Sequence, residues 1–258
     1  MNGGRRASPF VIFRMLLNAL LYLAAAVFLT GMGWRILGWA RTPAPLKIVL
    51  TPAPLTASGV AQRLAGEMLV FRSLFQADRL FWLPAWLFHI SLGLLFVGHL
   101  GGLVIPQFAE AALGLDENQF ERLAQIAGSG AGVLAIGALL WLFLRRLLAE
   151  RPRKISTFGD YFPLVLLLFI IGTGNHMRFL GGLQILQARH FVAGWLSFHP
   201  VAPPASPVFA AHIILVGVLL AYIPFSKLVH LGGATLFSPT LNQRNDARER
   251  RHVAWGRV

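Results

Sequence analysis

The 258-residue sequence contains no cysteine. This absence excludes disulfide bonds, thiolate metal sites, covalent attachment of c-type haem and cysteine-ligated iron–sulfur clusters from the chain. Any redox centre that the chain holds must therefore use histidine ligands or bind without covalent ligands.

Charged residues are also scarce, at 13% of the sequence, whereas 56% of the residues are hydrophobic. The chain has 23 Lys and Arg against 10 Asp and Glu, which gives a formal net charge of +13. In a soluble protein this excess would indicate nucleic-acid binding. In a chain this apolar it indicates basic loops that face anionic lipid. We therefore expect an integral membrane protein whose surroundings are the lipid bilayer, with no nucleic acid as a partner.

Five apolar stretches are each long enough for a membrane-crossing helix, which needs about 20 residues. They predict an all-α integral membrane protein, a five-transmembrane-helix bundle. The predicted spans are Phe10–Leu37, Leu83–Ile105, Ala124–Leu147, Phe162–Leu180 and Val208–Leu231. The first stretch lacks a small-residue cleavage site, so it is interpreted as an anchor and not as a removed signal peptide. The predicted divisions are an anchor (1–40), a cytoplasmic proline-rich linker with an amphipathic segment (41–80), a four-helix core (81–233) and a basic cytoplasmic tail (234–258).

The loop charges predict the orientation of the bundle. Basic residues are concentrated in 41–79, in 145–154 and in the tail after the last span, whereas the connection after the second span is mainly acidic. The positive-inside rule then places the amino terminus outside and the carboxyl terminus in the cytoplasm. The predicted location is the inner (plasma) membrane.

Four of the eight histidines lie within the predicted second and fifth spans. His89 and His99 are ten residues apart, and His212 and His230 are eighteen apart. A single histidine in a membrane helix is commonly a hydrogen-bonded packing residue, but two helices with two each are harder to explain in that way. In a continuous helix ten residues cover roughly 15 Å and eighteen roughly 27 Å. Two residues eighteen apart in a continuous helix also lie on the same face of that helix.

With five alternating spans, the second and fifth helices are antiparallel. His99 and His212 then lie toward the outside, and His89 and His230 lie toward the cytoplasm. Two imidazoles on facing helices are the axial ligands that a six-coordinate haem iron needs, so the sequence predicts two haem b groups, one at each pair. Small residues beside these histidines offer room for a flat macrocycle: Gly93, Gly98, Gly101, Gly102 and Gly217.

Three basic residues near the predicted cytoplasmic pair are candidate partners for haem propionates: Arg72, Arg79 and Lys227. Ordinary positive-inside charge explains each of them equally well. Two other classes of function remain open at this point, a metal-ion transporter and a passive membrane anchor. Transport sites usually add carboxylates within the membrane, and the cores of the predicted spans two to five contain none.

The sequence resembles the membrane cytochrome b (gamma) subunits of respiratory nitrate reductases and their relatives. The shared features are five spans, an FH followed ten residues later by GH, and histidines eighteen apart within AHIILVGVLLAYIPFSKLVH. The resemblance implies that His89, His99, His212 and His230 ligate two b-type haems in the pairing above. It also implies quinol oxidation near the haem of His99 and His212. The lysine that nitrate reductase gamma subunits carry after the second helix has no equivalent here.

A narrower resemblance is to the membrane cytochrome subunit of the sulfite-reductase-associated Dsr electron-transport complex. It is carried by TPAPLKIVLTPAPLT, FRSLFQADRLFWLPAWLFH and FSPTLNQRNDARERRHVAWG. This resemblance implies a partner in the cytoplasm, an iron–sulfur subunit resembling heterodisulfide reductase, together with other subunits of a membrane complex. The implied activity is electron transfer between the quinone pool and that partner, as quinol oxidation or quinone reduction. A nitrate reductase gamma subunit is the alternative.

The segment GTGNHMRF at the end of the fourth span supplies candidates for a quinone site. His176 and Arg178 can hydrogen-bond a quinone carbonyl or a haem propionate, and a histidine can accept a quinol proton. Together with Gly98 they form the candidate quinone site. An interfacial cap with a snorkelling arginine is the competing interpretation.

Overall fold

Ten α-helices and the turns between them make up the part of the chain that the computed structural model describes, which is residues 9–42, 53–181, 183–230 and 232–233. The predicted tail (234–258) and residues 43–52 of the predicted linker lie outside the described residues. The helices are α1 (Pro9–Arg41), α2 (Ala57–Leu69), α3 (Arg72–Ala77), α4 (Arg79–His99), α5 (Pro106–Leu113), α6 (Glu117–Leu148), α7 (Glu150–Ile155), α8 (Phe158–Phe179), α9 (Ile185–Leu196) and α10 (Pro207–Tyr222).

Among the described residues, five helical segments are long and apolar enough to cross a membrane, and each overlaps one predicted span. They are Val11–Arg41, Arg79–Val104, Glu117–Leu148, Phe158–Phe179 and Pro207–Phe225. Large apolar side chains on these segments stay exposed, for example Phe96 at 68% and Ile126 at 75%, as expected for side chains that face lipid. The predicted fold class, an all-α multi-pass membrane protein with five spans, is confirmed. Its orientation in the membrane stays a prediction.

Local sequence signals set the starts of three of the long helices. At α6 the Asp116 carboxylate accepts a hydrogen bond from the Gln119 amide, and the Gln119 side chain accepts one from the Asp116 amide. This capping box satisfies two amides that the first helical turn leaves unpaired. Asp160 accepts hydrogen bonds from the Thr157 amide and hydroxyl before α8. The Ser206 hydroxyl caps α10, where Pro207 occupies the first turn.

The described residues belong to two compact units, one within Met1–Thr30 and Leu83–Ile223 and the other within Gly31–Trp82 and Pro224–Val258. The first unit has two apolar clusters. One joins α4, α6 and α8 through buried residues: Phe88, Ala135, Ala138, Leu139, Leu167 and Ile171. The other joins α1, α9 and α10 through Leu21, Ala188, Phe191 and Phe209.

The second unit contains the last part of α1, the short helices α2 and α3, the first four residues of α4 and the turns after α10. The Trp82 indole donates a hydrogen bond to the Val70 carbonyl at 2.7 Å. The Arg35 guanidinium donates one to the Pro224 carbonyl at 3.0 Å. A cavity of about 370 Å³ lies beside this contact, lined by Gly31, Trp34, Arg35, Gly38, Trp39, Pro224 and Phe225.

The fifth span is not one continuous helix as far as His230, which corrects the expectation from its sequence. α10 ends at Tyr222, and Ile223–Phe225 and Lys227–Val229 are 3₁₀ turns. Pro224 has no backbone N–H to donate and its ring obstructs the preceding turn, while the Ser226 hydroxyl accepts from the Leu228 amide and begins a new turn. The eighteen-residue helical spacing therefore does not describe His212 and His230.

Candidate site around His99 and His212

His99 and His212 lie side by side in the first unit. His99 is the last residue of α4, and His212 is in the second turn of α10. Their ring centroids are 6.5 Å apart, and the ring planes differ by only 14°. The structure thus brings together the two histidines that the sequence predicts to be a pair.

Hydrogen bonds at Nδ1 orient both rings. The His99 Nδ1 lies 2.6 Å from the Leu95 carbonyl oxygen. The His212 Nδ1 lies 3.1 Å from the Ile170 carbonyl oxygen and 2.9 Å from the Thr173 hydroxyl. Because a carbonyl oxygen can only accept, Nδ1 carries the proton in both neutral rings and the lone pair is on Nε2. A hydrogen bond of this kind is typical of histidines that ligate a metal through the other nitrogen.

The spacing of the rings leaves room for one metal ion between the two imidazoles. A metal–imidazole bond is about 2.0 Å long, so two rings that share one metal ion must lie close together. The observed separation is 6.5 Å. Within the described ranges no group of three or more His, Cys, Asp or Glu residues could hold a metal ion. A pair of histidines suits an iron whose other ligands come from a macrocycle.

The glycines predicted to make room for the macrocycle divide into two groups. A Cβ added at Gly93, Gly98 or Gly102 would meet no neighbouring atom of the described residues within 4 Å, so open space adjoins each of them. Gly101 and Gly217 have other uses. A methyl at Gly101 would lie 3.3 Å from the Ala109 side chain, and one at Gly217 would lie 3.5 Å from Leu21. These two permit close helix packing and do not line open space.

His89 and His230 belong to different compact units. In the first unit the half-buried His89 ring bonds through Nδ1 to the Ala85 carbonyl at 2.7 Å and packs edge to face on Phe88. In the second unit the exposed His230 ring bonds through Nδ1 to the Lys227 carbonyl at 3.0 Å. Both rings therefore have the same proton arrangement as the first pair, with the lone pair on Nε2.

The two polar candidates for a quinone site both lie in the last turn of α8. His176 is exposed. The Arg178 guanidinium donates a hydrogen bond to the Ala124 carbonyl at 2.8 Å and lies against Gly128. One donor of Arg178 is thus used to join α8 to α6, and a guanidinium has further donors to offer a ligand.

The three candidate propionate partners all lie in the second unit. Arg79 lies over the Phe75 ring, 5.0 Å from its centroid. Arg72 is exposed, and its stem would contact a side chain added at Gly66. The exposed Lys227 provides the carbonyl that accepts from His230.

Sequence reasoning missed two residues beside the first histidine pair. Thr173 lies within the GTGNH segment, yet only the packing of α8 on α10 shows that its hydroxyl meets His212. Arg189 donates to the Gly102 carbonyl at 2.7 Å. This carbonyl belongs to a π turn, Leu100–Val104, that directly follows His99. The glycines of the GHLGG sequence at this turn are only a weak indication of an irregular backbone. Arg189 itself lies on α9, which does not appear among the predicted spans.

Residues 71–240 match the family described as nitrate reductase gamma subunit. An Hdr-like menaquinol oxidoreductase cytochrome b-like subunit of Archaeoglobus fulgidus is 34% identical, over 90% of this chain and 80% of that protein. The protein of the same description from Archaeoglobus profundus is 30% identical, over 91% and 80%. The nitrate reductase gamma chain of Bacillus subtilis is 35% identical, over 56% and 69%. With two thirds of its length matched and its five spans in place, the chain belongs to the nitrate reductase gamma subunit family.

Proposed function

We propose that the chain is a di-haem b membrane subunit that transfers electrons between the quinone pool and a cytoplasmic partner. The observation that carries this proposal is the spacing of His99 and His212, whose rings are 6.5 Å apart and nearly parallel. His89 and His230 are proposed as the ligands of the second haem. Their Nδ1 bonds give them the same ligand chemistry.

The proposed partner is an iron–sulfur subunit resembling heterodisulfide reductase, within a sulfur-metabolising respiratory complex of the Dsr type. The two Archaeoglobus relatives, described as subunits of an Hdr-like menaquinol oxidoreductase, support this assignment. Their similarity extends over about nine tenths of the chain, whereas the Bacillus nitrate reductase gamma chain covers 56% of it. The family match itself supports the second candidate, the gamma subunit of a nitrate reductase that oxidises quinol.

The chain's own residues have three roles in this mechanism. A bound haem would supply reversible one-electron transfer. His99 and His212 would hold it through Nε2, and the Nδ1 bonds keep their rings from turning. His176 accepts a proton from a quinol hydroxyl, and Arg178 donates to the quinone oxygen. Gly98 leaves open space beside His99 for the flat ring of the quinone.

Three basic side chains complete the proposal at the other pair. Arg72, Arg79 and Lys227 are proposed to bind haem propionates through charge-assisted hydrogen bonds. All three belong to the same compact unit as His230. Substituting them should weaken retention of the haem proposed for His89 and His230, and the haem quantification below measures this.

Haem quantification with single histidine substitutions tests the proposal. The purified protein is expected to show a reduced-minus-oxidised b-type spectrum and about two haems per chain. His99→Ala and His212→Ala should lose the same haem, and His89→Ala and His230→Ala should lose the other. His190→Ala is the matched control, since this histidine of α9 has no proposed role and should leave both haems in place.

The alternatives give different results in the same experiment. Haem-free protein from haem-replete membranes contradicts the proposal, and histidine-dependent metal uptake by that protein identifies a transporter. If His99→Ala and His212→Ala leave quinol oxidation by the assembled complex intact, the chain is a passive anchor. Co-purification with nitrate reductase catalytic subunits in place of an iron–sulfur partner supports the second candidate.

A further inference from the structure

The backbone leaves the α-helical pattern immediately after His99. Leu100–Val104 form a π turn, closed by a hydrogen bond from the Ile105 amide to the Leu100 carbonyl at 3.0 Å. A π turn redirects the carbonyls of a helix and is often found at functional sites. The position of His99 therefore depends on what holds this turn in place.

Arg189 of α9 holds the turn. Its Nε donates a hydrogen bond of 2.7 Å to the carbonyl of Gly102, a buried residue three positions after His99. The Arg189 side chain is 12% exposed, which is low for an arginine. A fixed, planar guanidinium can bind several acceptors at once and holds their relative positions.

The same guanidinium also contacts the start of α6. Its Nη1 lies 3.6 Å from a Glu117 carboxylate oxygen and 3.9 Å from a Glu121 carboxylate oxygen. Each pair alone would contribute little, because both glutamates are exposed to solvent. Together with the bond to Gly102 they join α9, α6 and the π turn through one side chain.

Apolar packing accompanies these polar contacts. Leu103 of the π turn packs against the cluster that contains Ala188 and Phe191 of α9 and Phe209 of α10. Phe209 is one turn before His212 in α10. The segments that carry His99 and His212 thus both pack on this cluster, and Arg189 adds a hydrogen bond to the segment that follows His99.

We propose that Arg189 is a positioning residue for the haem ligand His99. By fixing the Gly102 carbonyl it sets where the His99 ring stands relative to His212, so it acts on the haem of this pair and not on the haem of His89 and His230. The inference rests on the proposed di-haem function.

Two variants of Arg189 separate positioning from charge. Arg189→Met removes the charge and every donor but keeps an unbranched stem, whereas Arg189→Lys keeps the charge and loses the planar fork. The matched control is Arg146→Met. Arg146 also joins two segments, through the Ser156 hydroxyl at 3.0 Å and Asp160 at 3.6 Å, but it lies at the opposite end of α6.

The measurement is the low-temperature electron paramagnetic resonance signal of each low-spin haem, together with haem content per chain. The signal that disappears in His212→Ala identifies the haem of interest. Both Arg189 variants should shift that signal, which reports axial-ligand orientation, and should weaken retention of that haem about tenfold. The signal of the second haem, and both signals of Arg146→Met, should be unchanged.

The outcomes distinguish the inference from the proposed function. If Arg189→Met gives the wild-type signal and full haem content, positioning is overturned, whatever Arg189→Lys shows. If Arg189→Met is altered and Arg189→Lys is not, the lysine ammonium has replaced the donor to the Gly102 carbonyl, and positioning is supported. If Arg189→Met does not accumulate in membranes, Arg189→Leu, which also lacks charge and donors, decides in its place. If the wild-type chain has no signal that depends on His212, the di-haem function fails, which is a separate result from an unaffected Arg189 variant.

Discussion

Each of the four histidines proposed as iron ligands bonds through Nδ1 to a backbone carbonyl. For His89, His99 and His230 this carbonyl lies three or four residues earlier in the chain. His212 instead bonds to α8, at the Ile170 carbonyl and the Thr173 hydroxyl. Its orientation therefore depends on the packing of two helices, which makes it the most informative of the four to perturb.

Replacing Thr173 by valine removes the hydroxyl and keeps the shape of the side chain. The His212 Nδ1 then has only the Ile170 carbonyl as acceptor. We expect weaker binding of the haem of this pair, by about tenfold. We also expect a higher midpoint potential, because a less strongly hydrogen-bonded imidazole donates less charge to ferric iron. Haem quantification and a redox titration of the purified chain measure both effects.

Thr30→Val is the control for this substitution. Within the described residues, the Thr30 hydroxyl bonds to carbonyls of its own helix, at Ala26 and Val27, so its loss should change neither haem. A Thr173→Val protein with full haem content and an unchanged potential would show that the hydroxyl does not tune His212.

At the scale of single residues, the sequence identified side chains whose chemistry is unusual for their surroundings, but it missed side chains whose role depends on tertiary packing. Histidine in an apolar run is conspicuous, so His99 and His212 could be found and paired from their positions along antiparallel spans. Thr173 and Arg189 are ordinary residues in the sequence. They become important only because α8 and α9 bring them to His212 and to the π turn, and such contacts between distant segments leave no local pattern.

Close packing of α6 on α8 depends on a glycine. Gly132 is buried, and Asn175 of α8 donates to its carbonyl at 3.1 Å. A methyl group at Gly132 would overlap the Asn175 side-chain oxygen. Small residues at such a contact allow helices to approach closely in a membrane, where packing and hydrogen bonds drive association.

Gly132→Ala should therefore destabilise the protein by about 1–3 kcal/mol, the usual cost of overpacking. Gly137→Ala is the matched control on the same helix, because a methyl group there meets no neighbouring atom within 4 Å in the part of the chain that the structure describes. It should be neutral or stabilise by up to about 1 kcal/mol through helix propensity. Unfolding in mixed detergent micelles gives both free energies. Equal stability of the two variants would mean that Asn175 moves aside without cost.

The sequence predicted the long elements well and their interruptions poorly. Apolar length is the dominant signal in a membrane helix, so all five spans were found. The end of α10 at Tyr222 was missed because the apolar run continues through Pro224 to Val229. The helix α9 was missed because twelve residues with a polar face are too few and too polar to read as a span.

For the whole molecule the largest untested prediction is its orientation. The positive-inside rule places the α7 segment in the cytoplasm and the segment before α6 outside. α6 separates these two segments by the length of a membrane span. The proposed function needs this orientation, because the iron–sulfur subunit proposed as its partner would lie in the cytoplasm.

The absence of cysteine makes this orientation directly measurable. Any introduced cysteine is the only thiol of the chain, so a membrane-impermeant maleimide reports one position at a time. Ala112→Cys in α5 and Glu150→Cys in α7 both replace exposed residues. Ala112→Cys should be labelled on intact cells, whereas Glu150→Cys should require permeabilised cells. The unmodified chain should never be labelled, and both variants should react once the membrane is opened. The reverse pattern would place the α7 segment outside and would exclude docking of a cytoplasmic iron–sulfur partner at the basic loops.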